Sequence, residues 1–238
     1  MIFYLLLIAI FILTIKHIYE IYNINTNAVL EQLQRANNEE IFEHLKERKP
    51  LLIHNLANKY EEYNDLSFDK LSLDNPGLIL HDKNRYISLK SFTDENQIYI
   101  HKNKEICESL KLTNLLNEIY KPFESKIHIN KNNFISLYKG LNSIELTKNK
   151  HNLCLISQIY GKSKLYLFNP KHKNDIFNNE EIKSNNSIKK YGQKINLTQG
   201  LVLYIPIEWY YFYECEEESI IGEILCDNYF TVIYNNLR

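Results

Sequence analysis

Charge of one sign is missing from this chain: 28 Lys and Arg stand against 29 Asp and Glu, so there is no global field to recruit nucleic acid or an anionic surface. Cysteine pairs are missing as well. Cys107, Cys154, Cys215 and Cys226 lie far apart with no CxxC among them, which argues against a zinc knuckle or a dense disulfide framework and for reduced, buried thiols. There is no GxSxG, P-loop, GxGxxG or HExxH. Cys154 and Cys215 fall in strand patterns, so burial is the better reading for them than nucleophilic chemistry. Glycine (6), proline (5) and methionine (1) are scarce for 238 residues, whereas Ile, Asn, Lys and the 18 Tyr are abundant, a bias of AT-rich coding. So Asn-rich a chain yields sequons such as those at Asn185 and Asn196 by chance. What is present is apolar side chain, 45% of the residues, enough for one substantial core in a single all-β or α+β domain.

The strongest local signal is an apolar run over residues 2–15, ended by Lys16 and His17. As a helix it measures roughly 21 Å, short of a hydrocarbon core of about 30 Å. Lys16 can snorkel, and Ile18, Ile21 and Tyr22 extend the helix into the interface. A cleaved signal peptide and a buried core helix are the rival readings, but no basic segment precedes the run and no small-x-small site follows it. Residues 1–22 are therefore expected to form a single-pass N-terminal membrane helix. The basic residues Lys16, Arg35, Lys46, Arg48 and Lys49 all follow it, which places the body on the cytosolic side. Residues 23–47 carry a helical pattern and read as a juxtamembrane segment.

The body, 48–238, opens at Pro50, where the helical pattern stops and Leu51, Leu52 and Ile53 begin a strand. Strand patterns recur at 78–80, 86–89, 98–100, 134–138, 153–160, 165–168, 201–205, 219–225 and 229–234, with a helical stretch at 106–120. Gly161 predicts a tight turn between two of these strands, and Pro206, lacking an N–H, ends another. The polar stretch 171–193 reads as a surface excursion, and Glu214, Glu216, Glu217 and Glu218 as a solvated hairpin end.

Two of these segments together resemble the cupin-like, JmjC-type hydroxylases. In 158–170, Gln158, Gly161 and Pro170 fall where that family has a strand, a glycine turn and a second strand ending near a proline. In 200–211, Gly200, Leu203, Ile205, Pro206, Trp209 and Tyr211 resemble the family's GDxLxIPxxWxH. A weaker likeness, at 48–53, matches a phrase that enters the family's first strand. The resemblance spans roughly residues 40 to 235 and implies a double-stranded β-helix, a jelly-roll barrel with flanking helices. It also implies an Fe(II) site of two histidines and a carboxylate beside 2-oxoglutarate. Here the family's HxD falls on Lys148, Asn149 and Lys150, and its second histidine on Tyr211. Two ammonium groups repel a divalent cation and offer no lone pair, so the expectation is a metal-free site without cofactor. The family's 2-oxoglutarate lysine falls on Ser163, with Lys162 and Lys164 pointing the other way by alternation.

The expected lining of this degenerate site is Lys148, Lys150, Gln158, Ser163, Trp209 and Tyr211, open to a small anionic ligand or a protein partner. The leading reading is thus a non-catalytic binding module held at a membrane through residues 2–15. Two alternatives stand beside it. One is an Fe(II)/2-oxoglutarate hydroxylase using His151 with Glu145 or Glu208, with His128 and His172 as distant candidates; the other is a structural membrane or virion protein whose surface excursion makes the contacts.

Overall fold

A computed structural model describes residues 2–22, 24–35, 37–57, 60, 66–82, 85–94, 98–140, 142–177 and 185–237. The fold is mixed α+β, dominated by an 11-stranded sheet with helices packed on it. Its organising element is one strand of 16 residues, β9 (Leu153–Phe168). The pattern predicts two strands joined by a turn at Gly161; the strand instead continues through Gly161, whose φ of 74° lies in the left-handed region. A Cβ at that position would collide with the carbonyl oxygen of Glu218, so glycine is required on two counts.

Gly161 also marks a change of neighbours. Before it, β9 lies antiparallel between β11 (Val202–Ile205) and β13 (Ser219–Asp227). Beyond it, β9 lies between β10 (Gln193–Thr198) and β12 (Tyr210–Cys215). The first set extends through β11 to β2 (Leu51–Ile53) and β1 (Glu31–Leu33), and through β13 to β6 (Asn130–Lys139) and β5 (Ile98–Asn103). The second extends through β12 to two short strands, β7 (Asn142–Ser143) and β8 (Thr147–Lys148).

Strand alternation sorts the apolar residues into layers. Cys154, Ile156, Leu203, Ile205, Ile221 and Leu225 of the first set meet Leu165, Leu167, Ile195, Leu197, Tyr211 and Tyr213 of the second in one closed interior. The opposite side chains of the first set, among them Leu153, Leu155, Val202, Tyr204, Ile220 and Ile224, pack under helices that contribute Phe68, Phe92, Leu116 and Ile119. Both faces of β13 are therefore covered, which is why all nine of its residues are buried and its sequence reads as a nearly unbroken apolar run.

Two segments depart from expectation. Residues 229–234, rich in aromatic and β-branched side chains, read as a strand but begin the helix Tyr229–Leu237; Asn228 caps it by accepting from the Thr231 N–H at 2.8 Å. Within 23–47, residues Glu31–Leu33 form a strand parallel to β2, and only the helix Asn38–Glu47 follows the helical pattern, burying Ile41 in the main core. That helix is capped by the Asn37 side chain at one end and by left-handed Arg48 at the other, just before Pro50. Of the surface excursion, residues 178–184 lie outside the described residues.

The apolar run is helical from Ile2 to Tyr22 (helix α1), and every side chain at 2–12 is exposed. Among the described residues, no helix is long and apolar enough to cross a membrane.

Candidate functional site

The polar centre of the molecule lies in the interior between the two sets of strands. Strand β5 runs regularly through Ile98 and Ile100, both buried, and then its register with β6 shifts before Asn103. Within the shift Lys102 takes a φ of 48°, and its backbone N–H, lost to the ladder, donates to Ser136 Oγ at 2.9 Å. Such a bulge re-aims the side chain. The Lys102 ammonium reaches inward to 2.8 Å from Glu223 Oε2 and donates to the Tyr211 hydroxyl at 3.0 Å.

Glu223 is fully buried on β13, on the same face as Ile221 and Leu225. Its other oxygen accepts from the Tyr213 hydroxyl at 3.1 Å. With that proton committed, Tyr213 must accept from Tyr138 (3.0 Å), and Tyr138 in turn from the protonated Nδ1 of His101 (2.7 Å). A directed chain of hydrogen bonds thus leads from half-buried His101 to a carboxylate held against an ammonium. Burial by itself would lower the Lys102 pKa, but the Glu223 carboxylate outweighs it and holds the ammonium above the ordinary lysine range. Burial, reinforced by the same carboxylate, pushes the Tyr211 and Tyr213 hydroxyls well up and the Cys154 thiol up to about 12, so all three stay neutral at physiological pH.

Of the residues expected to line the site, Tyr211, Trp209, Gln158 and Ser163 are buried. Tyr211 and Trp209 belong to the interior cluster. Gln158 and Ser163 form a separate polar group beside Gly161: Ser163 Oγ donates to Gln158 Oε1 at 2.6 Å, and Gln158 Nε2 donates to Ser219 Oγ at 2.6 Å and to the Tyr160 carbonyl at 2.7 Å. These internal bonds satisfy polar atoms where β9 changes neighbours.

Lys148 and Lys150 are not part of the interior. Lys148 pairs in register with Tyr210 and Thr147 with Tyr211, so Lys148 projects to the opposite face of β12 from Tyr211. There its ammonium lies 5.8 Å from the centre of the Tyr210 ring and pairs with Glu208. Lys150 is exposed beyond the end of β8. The physical reason is the register for Lys148 and, for Lys150, Asn149. Its buried side chain donates to the Ile205 carbonyl at 2.8 Å and its backbone bonds Trp209 and Glu208, so alternation stops there.

The histidines and Glu208 of the hydroxylase alternative are engaged with other partners. His151 Nδ1 pairs with Asp227 at 2.9 Å, Glu208 with Lys148, His128 with Tyr120 and His172 with Asp175, while Glu145 is exposed. Among the described residues, no group of three or more His, Cys, Asp or Glu is placed to hold a metal ion. The interior donor set does not fit Fe(II) either. Its one carboxylate already bonds an ammonium and a phenol, and the remaining neighbours are lysine, tyrosine and a thiol kept protonated.

Sequence reasoning missed Lys102, Glu223, Tyr138, Tyr213 and His101. One signal was available for Glu223: a lone acid inside the apolar run of β13, two residues from Ile221 and two from Leu225, must face a buried layer and needs a partner there. Nothing in the sequence marks Lys102 as that partner, because the bulge that turns it inward has no local signature. No model of a known protein family matches this chain, and no curated protein matches it.

Proposed function

We propose that the chain is a cupin-like jelly-roll of the JmjC type whose interior has exchanged metal chemistry for a fixed ion pair, and that it serves as a non-catalytic binding module held at a membrane. The observation that carries this reading is the bond between the Lys102 ammonium and the Tyr211 hydroxyl. Tyr211 stands where the resemblance puts the family's second histidine, and the nearest cation there is a covalently supplied ammonium, already neutralised by Glu223. The passage of β9 from one set of strands to the other, with one apolar interior between them, supports the jelly-roll. For the membrane, the support is α1. Apolar side chains exposed on every side of its first three turns each gain about 1.5–3 kcal/mol on leaving water, so a lipid phase suits the helix better than solvent does. The ligand or partner is a protein or a small anion at the outer surface.

The test is to titrate the full chain in mild detergent with Mn(II) and 2-oxoglutarate, following bound metal and thermal stability. The expected result is no stoichiometric uptake and an unchanged melting temperature. One-to-one uptake accompanied by a rise in melting temperature would overturn the reading.

A further inference from the structure

Immediately after α1 the chain enters the wall of an open groove of about 1620 Å³, lined by residues 24–27, the helix Asn38–Glu47, the segment 121–128 and the start of the helix Tyr229–Leu237. A small-molecule pocket encloses roughly 300–1,000 Å³, so this is a broad concave face rather than a ligand cavity. Large apolar side chains are exposed at its rim on three separate elements: Phe42 (65%), Ile127 (58%) and Tyr229 (66%). Ile233 (53%) lies one helical turn beyond Tyr229 on the same side of its helix. Singly such residues need no explanation; gathered on one face they mark a contact surface.

The covalent connection to α1 identifies what covers this face. From Ile15, the last residue of the apolar run, to Tyr22 the helix advances about 10 Å, and the headgroup region of one leaflet is about 5–7 Å deep. With residues 2–15 in lipid, the groove wall that starts at Ile24 therefore emerges a few ångströms outside the headgroups, within reach of a large side chain. The backbone of the helix Tyr229–Leu237 runs close to that of α1, which keeps the body near that level. The charges of the groove select the lipid. Four cationic side chains, Lys46, Arg48, Lys121 and Lys126, are matched by four carboxylates, Glu39, Glu43, Glu47 and Glu124, so the face has no net attraction for anionic headgroups.

We propose that this face, resting on the anchor reading above, docks on the surface of the same bilayer, with Phe42, Ile127, Tyr229 and Ile233 dipping into a zwitterionic interface. Aromatic and branched side chains are the ones that settle at that depth.

The experiment places a nitroxide on the full chain through Phe42→Cys, Ile127→Cys or Tyr229→Cys, with Ile8→Cys as the anchor reference and Tyr86→Cys as an exposed control. All four native cysteines are buried, so labelling is selective. Accessibility to oxygen and to an aqueous nickel chelate is read in phosphatidylcholine vesicles and again with phosphatidylserine added. Expected are oxygen-rich, nickel-poor environments at positions 8, 42, 127 and 229, an aqueous one at 86, and no change with phosphatidylserine or salt. Immersion at position 8 with aqueous values at 42, 127 and 229 overturns the docking face and leaves the anchor intact; an aqueous position 8 overturns both. Immersion of the body only when phosphatidylserine is present overturns the assignment to zwitterionic lipid.

Discussion

Replacing Lys102 by methionine keeps most of the side chain's volume and removes the ammonium that lies 2.8 Å from a fully buried carboxylate. Breaking a buried pair from one side costs about 3–5 kcal/mol. Here the lower end applies, because Glu223 keeps the Tyr213 hydroxyl and the Lys102 side chain is 21% exposed, so the pair is not wholly sealed from water. K102M should lose about 3 kcal/mol near pH 7.5, whereas K102M/E223L, which removes both charges, should recover most of that or exceed the parent. The loss is pH-dependent. It follows the raised pKa of Lys102 in the parent. The pair's contribution is complete below the ordinary lysine value of about 10.4 and is lost as pH rises through the higher folded value. Urea denaturation followed by the single tryptophan, Trp209, buried in the same interior, reports all of these variants. A K102M variant within about 1 kcal/mol of the parent, or a double variant as unstable as K102M, would refute the reasoning, since neither is the behaviour of a buried ion pair.

Three further outcomes follow from particular residues. Burial lowers the His128 pKa against the opposing charge of Asp227, and the Asn152 amide donates to its Nε2 at 3.2 Å, leaving Nδ1 to donate to Tyr120. Its neutral form thus stabilises the fold above the unfolded value of about 6.5, and that stability is lost as pH falls through the lower folded value; His128→Gln should flatten the loss between pH 7 and 5, by about 1.36 kcal/mol per unit of depression, in urea midpoints. Gly161→Ala should cost about 3 kcal/mol or more, whereas Gly77→Ala, with open space around the added carbon, should stay within about 0.5 kcal/mol, both read from thermal unfolding by near-ultraviolet dichroism. Burial pushes the thiols of Cys154, Cys215 and Cys226 up to about 12 and raises Cys107 as well, so iodoacetamide at pH 8 should leave the native chain unmodified and alkylate all four cysteines in urea.

Much of the sheet is legible in the sequence because burial on both faces writes long apolar runs: β2, β6, β11 and β13 lie where those runs predict them. The hairpin end at Glu216–Glu218 is legible for the complementary reason; its acids sit outside the layers and pair with Lys164, Lys162 and Lys139. What fails is inference about facing. Assigning Lys148 to the face of Tyr211 needs the cross-strand register, which instead sets Lys148 opposite Tyr210 through a strand only two residues long. Lys102 faces the interior only because of a bulge, and a second register shift in β13, between Ile220 and Ile221, goes equally unmarked. The final helix was hidden by its composition: Val232, Ile233 and Tyr234 favour strands in isolation, but the Asn228 cap decides the conformation. The candidate site was therefore half legible, in Tyr211 and Trp209, while its charged centre depends on pairings between residues more than a hundred positions apart.

The single strand shared across Gly161 has a kinetic consequence. Neither set of strands can open while β9 remains paired in the other, so the two have no independent melting transitions and the body should unfold as one unit. All four strands that pair with β9, from β10 to β13, follow it in the chain, so its pairing is complete only when the last of them is in place. A chain built on such distant contacts folds over milliseconds to seconds rather than microseconds. For that interval the apolar stretches of β9 and β13 are exposed, which makes the nascent body dependent on protection from aggregation until its last strand arrives.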